Sequence, residues 1–318
     1  MKKYLIFIPI VIILLVAVVI TIALHVETFE VMSVPRSYSY VSTYTDNDEM
    51  NVLVYVSSKN SYLTKKEGVK NSYVSGNNDN DLLKVNLIDI IDKENKTKVY
   101  GHEFYLFEFC FDIPFKTTTE YELSINDAVL TLDYGTKEVT ITLGSFYYYK
   151  MPYYGDEQNN LIVTSLKPVL GYIGDNKTIS GIQIGIRNNA NVDITICDIK
   201  LLDPNIYPSL EEIKVLDGIV SGFETMSSIL GYNYEEKSNS IDTGNVSLTV
   251  NKKDELVIVI PIKYLEEYPI NSLGFIISYK ENGSSEIIRY YYDDFVFFNS
   301  MKETYDERRV VINTYENN

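Results

Sequence analysis

Tryptophan is absent from this chain, and cysteine and histidine are held to two residues each. These shortages exclude whole classes of chemistry. A zinc site needs several Cys or His side chains close together, whereas Cys110, Cys197, His25 and His102 are scattered. A nucleophilic triad needs a base beside its Ser or Cys, most often His. His25 borders an apolar run, and His102 follows Gly101 in a turn. No G-x-S-x-G, H-E-x-x-H or phosphate-cradling glycine loop occurs. Positive charge is also scarce: 28 Lys and Arg face 44 Asp and Glu, a net charge of −16. Such a surface repels nucleic acid unless a basic patch intervenes. The pairs Lys65-Lys66, Lys252-Lys253 and Arg308-Arg309 read as solvated faces. A disulfide between Cys110 and Cys197 is allowed outside the cell, but the two fall in separate segments, and free, buried thiols are the favoured reading. No cofactor is expected.

What the chain does have begins at its N-terminus. Residues 4–24, YLIFIPIVIILLVAVVITIAL, carry no charge. As a helix of about 1.5 Å per residue they reach about 31 Å, the thickness of a hydrocarbon core. Lys2 and Lys3 precede the run, and Glu27 and Glu30 follow it. The positive-inside rule therefore places residues 1–3 in the cytoplasm and the bulk outside the membrane. A cleaved signal peptide ending at Ala23 is the competing reading; the run is longer than the usual signal core of about 7–15 residues.

Beyond the anchor, short segments of period two dominate. Val52, Val54 and Val56 share one face, as do Phe107, Phe109, Phe111 and Ile113. Leu130 and Leu132 lead through Asp133-Tyr134-Gly135-Thr136 to Val139, Ile141 and Leu143, a hairpin pattern. Ile182, Ile184 and Ile186 alternate, and so do Val192, Ile194 and Ile196 after the turn 188–191. Past Asp198 the apolar parity switches to Ile199 and Leu201, as a β-bulge would cause. The expected fold is all-β: two tandem antiparallel β-sandwich domains after one transmembrane helix. Residues 25–47 read as a stalk or a leading edge strand. Residues 48–150 form the first domain and 161–300 the second, the latter with an insertion at 203–242. Within the insertion, Ser209-Leu210-Glu211-Glu212 is a capping-box pattern for a short helix. Residues 301–318 form a tail whose stretch 309–315 could add an edge strand.

The stretch GIQIGIRNNANVDITICDIKLLDP, residues 181–204, resembles the paired-strand pattern of immunoglobulin-like domains in bacterial cell-surface proteins. The resemblance implies a sandwich of seven or eight strands used for display or binding. It transfers no functional residue, and the Cys…Trp…Cys signature of antibody domains is missing. The 28 tyrosines, with abundant Asn, Ile and Lys, fit the codon bias of an AT-rich bacterial genome. Triplets Asn95, Asn176, Asn245 and Asn282 match the glycosylation pattern at a frequency an Asn-rich chain reaches by chance.

Two groups of residues are candidates for a site. Hard cations want clustered oxygens on loops. Calcium candidates are therefore Asp46 and Asp48, Asp79 and Asp81, and Asp293 and Asp294, with a solvated loop the simpler reading of each. Exposed tyrosines stack on sugars or proteins, which makes Tyr147, Tyr149, Tyr153 and Tyr154 ligand-binding candidates. In an alternating strand, however, part of a Tyr triplet must face a core, and packing at the domain junction is the favoured role. The same division applies to Tyr290, Tyr291 and Tyr292. The expected function is a membrane-anchored binding or structural protein of the bacterial surface, with an envelope protein or glycan as partner. An accessory or sensor subunit of a membrane complex is the second reading. A glycosidase using two carboxylates is the third.

Overall fold

The structure, a computed structural model, describes residues 27–42, 48–77, 82–117, 119–151, 160–173, 176–218, 225–270, 272–296 and 307–317. The apolar run 4–24 lies outside them, as do Asp46, Asp79, Asp81, Tyr153 and Tyr154. No helix among the described residues is long and apolar enough to cross a membrane.

The alternating segments form strands. In the first half of the chain these are β1 (Thr28–Ser33), β2 (Arg36–Ser42), β3 (Asp48–Val56), β4 (Asn71–Ser75), β5 (Leu82–Val99), β6 (His102–Ile113), β7 (Tyr121–Asp133) and β8 (Glu138–Lys150). The second half holds β9 (Leu161–Ile173), β10 (Asn176–Asn188), β11 (Ile194–Leu201), β12 (Ile206–Pro208) and β13 (Lys214–Leu216). It continues with β14 (Leu248–Val250), β15 (Glu255–Tyr264), β16 (Ser272–Glu281) and β17 (Ile288–Val296). The last strand, β18 (Val311–Glu316), returns to the first half and pairs with β1.

The first sandwich is one continuous path of strands, β18-β1-β3-β6-β5-β4-β7-β8-β2. It turns over at the long strand β5, whose start pairs with β4 and whose remainder pairs with β6. Val52, Val54, Phe109 and Phe111 from one side meet Leu130, Leu132, Ile141 and Phe146 from the other in a single core. The second sandwich packs β12-β15-β10-β9, with β13 also on β15, against β14-β11-β16-β17. Ile182, Ile184 and Ile186 there are fully buried with Ile258, Ile260, Phe275 and Ile277. The parity switch is a true bulge, because the β11–β16 register slips between Ile196 and Asp198.

Four features depart from expectation. Within the segment 25–47, which reads as a stalk or a leading edge strand, the described residues 27–42 hold two strands of the first sandwich, β1 and β2. Pro35 lies between them, and a proline cannot donate to a ladder, so the chain leaves one layer and enters the other there. As a result β2 runs parallel to β8, in register from Arg36–Gly144 to Ser42–Lys150, whereas the other paired strands among the described residues are antiparallel. The 301–318 tail does supply an edge strand, but to the first sandwich, so the arrangement is not simply tandem. Finally, Ser209 makes no capping bond and only a 3-10 turn, Leu210–Glu212, follows it. The Ser209 and Leu210 amides, which a helix start would leave free, already donate to Pro261 and Thr243 at 2.9 and 2.8 Å. A genuine capping box closes the one-turn helix α1 (Met226–Leu230), between Thr225 and Ser228.

Gly144 makes the β2–β8 approach possible. Its φ is +105°, and a Cβ there would stand 2.3 Å from the Arg36 carbonyl oxygen. Gly283, at φ +91°, faces open space. Gly283→Ala therefore costs only the left-handed backbone, about 1–2 kcal/mol. Gly144→Ala adds overpacking against main chain, for a total of about 2–4 kcal/mol. Denaturant unfolding of the two variants is expected to show that gap, and equal losses would contradict it.

Candidate functional site

The β7 ladder breaks between Ile125 and Ala128, where Asp127 adopts φ +55°. Bulges re-aim side chains, and this one turns Asn126 and Asp127 toward the second sandwich. Asn205 Nδ2 donates to Asn126 Oδ1 at 2.9 Å, and Tyr268 Oη donates to Asp127 Oδ1 at 2.6 Å. Beside them runs β2, buried at every position. Tyr38 and Tyr40 fill the first core, which leaves Ser37, Ser39 and Val41 facing the seam.

Asp203, just past β11, is inserted among these serines. Ser37 Oγ donates to its Oδ2 at 2.6 Å, Ser145 Oγ donates to the same oxygen at 3.0 Å, and the Asn205 amide donates to Oδ1 at 2.8 Å. Ser39 Oγ donates to the Leu202 carbonyl and accepts from the Gly274 amide at 3.1 Å. The Ser37 amide donates to the Pro269 carbonyl at 2.8 Å. Desolvation pushes the Asp203 carboxyl above its usual range, and the bonds from Ser37, Asn205 and Ser145 pull it partly back. The apolar half of the seam is Val41, Tyr147, Tyr149, Leu202 and Ile276. Gly274 lies so close that a Cβ would meet Val41 Cγ2 at 2.0 Å.

Tyr147 and Tyr149 are thus packing residues, 3% and 2% exposed, rather than displayed stacking surfaces. Their hydroxyls donate to Glu122 and Glu120. The second triplet divides as alternation requires. Tyr290 and Tyr292 pack on the second core, whereas Tyr291 stacks against Tyr149 at 6.3 Å between ring centres.

Of the calcium candidates, Asp48 has its Oδ2 taken by the hydroxyls of Ser42 and Tyr148 and by Lys150 Nζ at 3.4 Å. Lys150 is fully buried. Burial raises the Asp48 carboxyl, against the pull of these three partners. Asp293 and Asp294 belong to β17. No group of three or more His, Cys, Asp or Glu side chains that could hold a metal ion occurs among the described residues. His102, the one histidine described, places Nδ1 2.6 Å from Glu30 Oε2 on the surface.

At one end the seam opens into a cleft of about 290 Å³ lined by Val34, Pro35, Glu267, Tyr268, Pro269 and Arg309. The Arg309 guanidinium donates to the Glu267 carbonyl oxygen at 2.9 Å and to its carboxylate at 2.5 Å. The seam's polar groups are thus turned on one another, an arrangement suited to holding two bodies together.

Sequence reasoning did not single out Ser37, Ser39, Ser145, Asp203 or Gly274. The Ser/Tyr alternation in RSYSYVS was the available signal, and Asp-Pro-Asn at 203–205 reads as an ordinary turn.

No family model matches this chain. No curated protein matches it either. Among solved structures, one named "BspA_C_WT" aligns over 81% of this chain and 97% of its own, at 12% identity and a TM-score of 0.20. Another, "Complete structure of manganese lipoxygenase of Gaeumannomyces graminis and partial structure of zonadhesin of Komagataella pastoris", aligns over 89% and 96%, at 10% identity and a TM-score of 0.23. Both resemblances are weak.

The buried carboxylate makes the seam sensitive to pH. A carboxyl raised on folding keeps its proton to higher pH in the native state than in the unfolded one. Stability then falls as pH rises from the unfolded value of about 3.9 through the raised native value. Asp203→Asn removes that titration. The stability of the wild type minus that of Asp203→Asn is expected to shrink as pH climbs from 4, followed by denaturant unfolding. Asp203→Ala strands three buried donors and loses about 2–4 kcal/mol. A pH-independent difference between wild type and Asp203→Asn would refute the assignment.

Proposed function

We propose that this chain is a single-pass envelope protein, anchored through residues 4–24, that holds a rigid two-domain, immunoglobulin-like β body outside a bacterial membrane. Its role there is binding or structural, and not catalytic. The uncharged run behind Lys2 and Lys3 carries the anchoring. The seam carries the rigidity. Hydrogen-bonding groups of one sandwich are satisfied by the other, and separating them would strip Ser37 and Ser39 of these bonds and leave Asp203 only the Asn205 amide. A body of this kind carries load or presents a surface at a fixed distance and orientation. The strongly acidic composition keeps it soluble and disfavours direct contact with anionic lipids and nucleic acid. An envelope protein or glycan is the class of partner this reading implies.

Cell fractionation with intact-mass analysis tests the reading. The protein is expected in the membrane fraction after alkaline washing, at a mass that includes residues 1–23. Protease added to intact cells is expected to degrade the body. A mature form beginning at Leu24 and released to the medium would overturn the anchor.

A further inference from the structure

β1 is held unequally on its two edges. Toward β3 it pairs at two positions, Val31–Val56 and Met32–Tyr55. Toward β18 it pairs at six, from Thr28–Glu316 to Ser33–Val311. Across the sandwich, β8 pairs with β7 on one side, but β2 covers its other side only from Gly144 onward. Among the described residues, no strand pairs with Glu138 to Leu143 on that edge. Side chains of β18 supply what a strand would. Tyr315 Oη accepts from the Thr140 amide at 3.0 Å and donates to the Thr140 carbonyl at 2.9 Å. Asn313 Nδ2 reaches the same carbonyl at 3.5 Å. The Tyr315 ring packs on Phe29 with centres 5.8 Å apart. Past the strand, the Asn317 amide donates to the Glu27 carbonyl at 2.7 Å.

The walls of this slot belong to the early part of the chain, and its occupant is the last strand described. The occupant is extended, recognised mainly through its backbone, and fixed by one aromatic side chain. Those are the terms on which a peptide adds to a sheet edge. We propose that the slot between β1 and β8 is a strand-accepting site, and that the C-terminal segment 307–317 fills it as a separable ligand. The proposal does not depend on the anchor.

The test uses the full chain with a protease site engineered into residues 301–306, folded first and then cut. The released segment 307–318 is expected to stay with the body through gel filtration. It is expected to exchange for a fluorescent synthetic peptide of the same sequence. An unlabelled peptide carrying Tyr315→Ala should compete at least tenfold less well, whereas Thr314→Ala, at an exposed position, should compete within twofold of wild type. Loss of the cut segment with unchanged thermal unfolding of the body would overturn the proposal, and so would retention without exchange or equal competition by the two variants. A second measurement needs no cut. In the intact chain Tyr315→Ala should speed amide hydrogen exchange at residues 29–33 and at Thr140 relative to Thr314→Ala; unchanged exchange there would also overturn it.

Discussion

A strand with no solvent face must find partners for everything it carries, and β2 is such a strand. Its tyrosines enter the first core, and its serines face away from that core. A buried hydroxyl without a partner costs free energy comparable to the bond it lacks. Ser42 finds Asp48 within its own sandwich, but Ser37 and Ser39 take their partners from the second, through Asp203, the Leu202 carbonyl and the Gly274 amide. The demand is mutual. Asp203 is a carboxylate out of water, and removing a charge from water is expensive unless hydrogen bonds compensate. Its compensation comes from Ser37 and Ser145 of the other sandwich and from its own Asx turn with Asn205. Each half thus carries polar groups that depend on the other half for hydrogen bonds. The glycines follow from the same constraint, since Gly144 lets β2 lie against β8 and Gly274 lets Val41 approach β16.

Much of this was legible in the sequence where burial is local. Val52, Val54 and Val56 declare their inward face by spacing alone, and the switch of apolar parity to Ile199 and Leu201 marks the bulge that the register slip at Ile196–Asp198 makes. The seam was not legible in that way. RSYSYVS alternates cleanly, but serine is not an apolar residue, so hydrophobic period alone does not place the segment in a core, and 25–47 reads as a stalk or a leading edge strand. Asp203 sits in Asp-Pro-Asn, a sequence with every mark of an exposed turn. What buries it is a surface from elsewhere in the chain. The membership of β18 in the first sandwich is of the same kind, because Val-Ile-Asn-Thr-Tyr-Glu carries no alternating signal and its position is set by pairing with β1.

The tyrosines show how composition and structure divide the explanation. Their number reflects composition, but their placement obeys the fold. Tyr40 and Tyr148 lie in the first core, Tyr147 and Tyr149 in the seam, and Tyr264 and Tyr279 in the second core. A buried phenol needs a partner for its hydroxyl. Tyr147, Tyr148 and Tyr149 find theirs in Glu122, Asp48 and Glu120, so part of the acidic surplus is consumed by the aromatic surplus.

The pairing of β1 with β18 also sets an order in time. The first of these strands emerges well before its principal partner, which lies far along the chain. Contacts between distant parts of a chain are slow to form, because the intervening loop must close first. Until then β1 has two paired positions on β3 and an open edge, and β8 has another. Open edges invite pairing with other chains. For such a protein the interval between the synthesis of β1 and that of β18 is the period of exposure to misassembly.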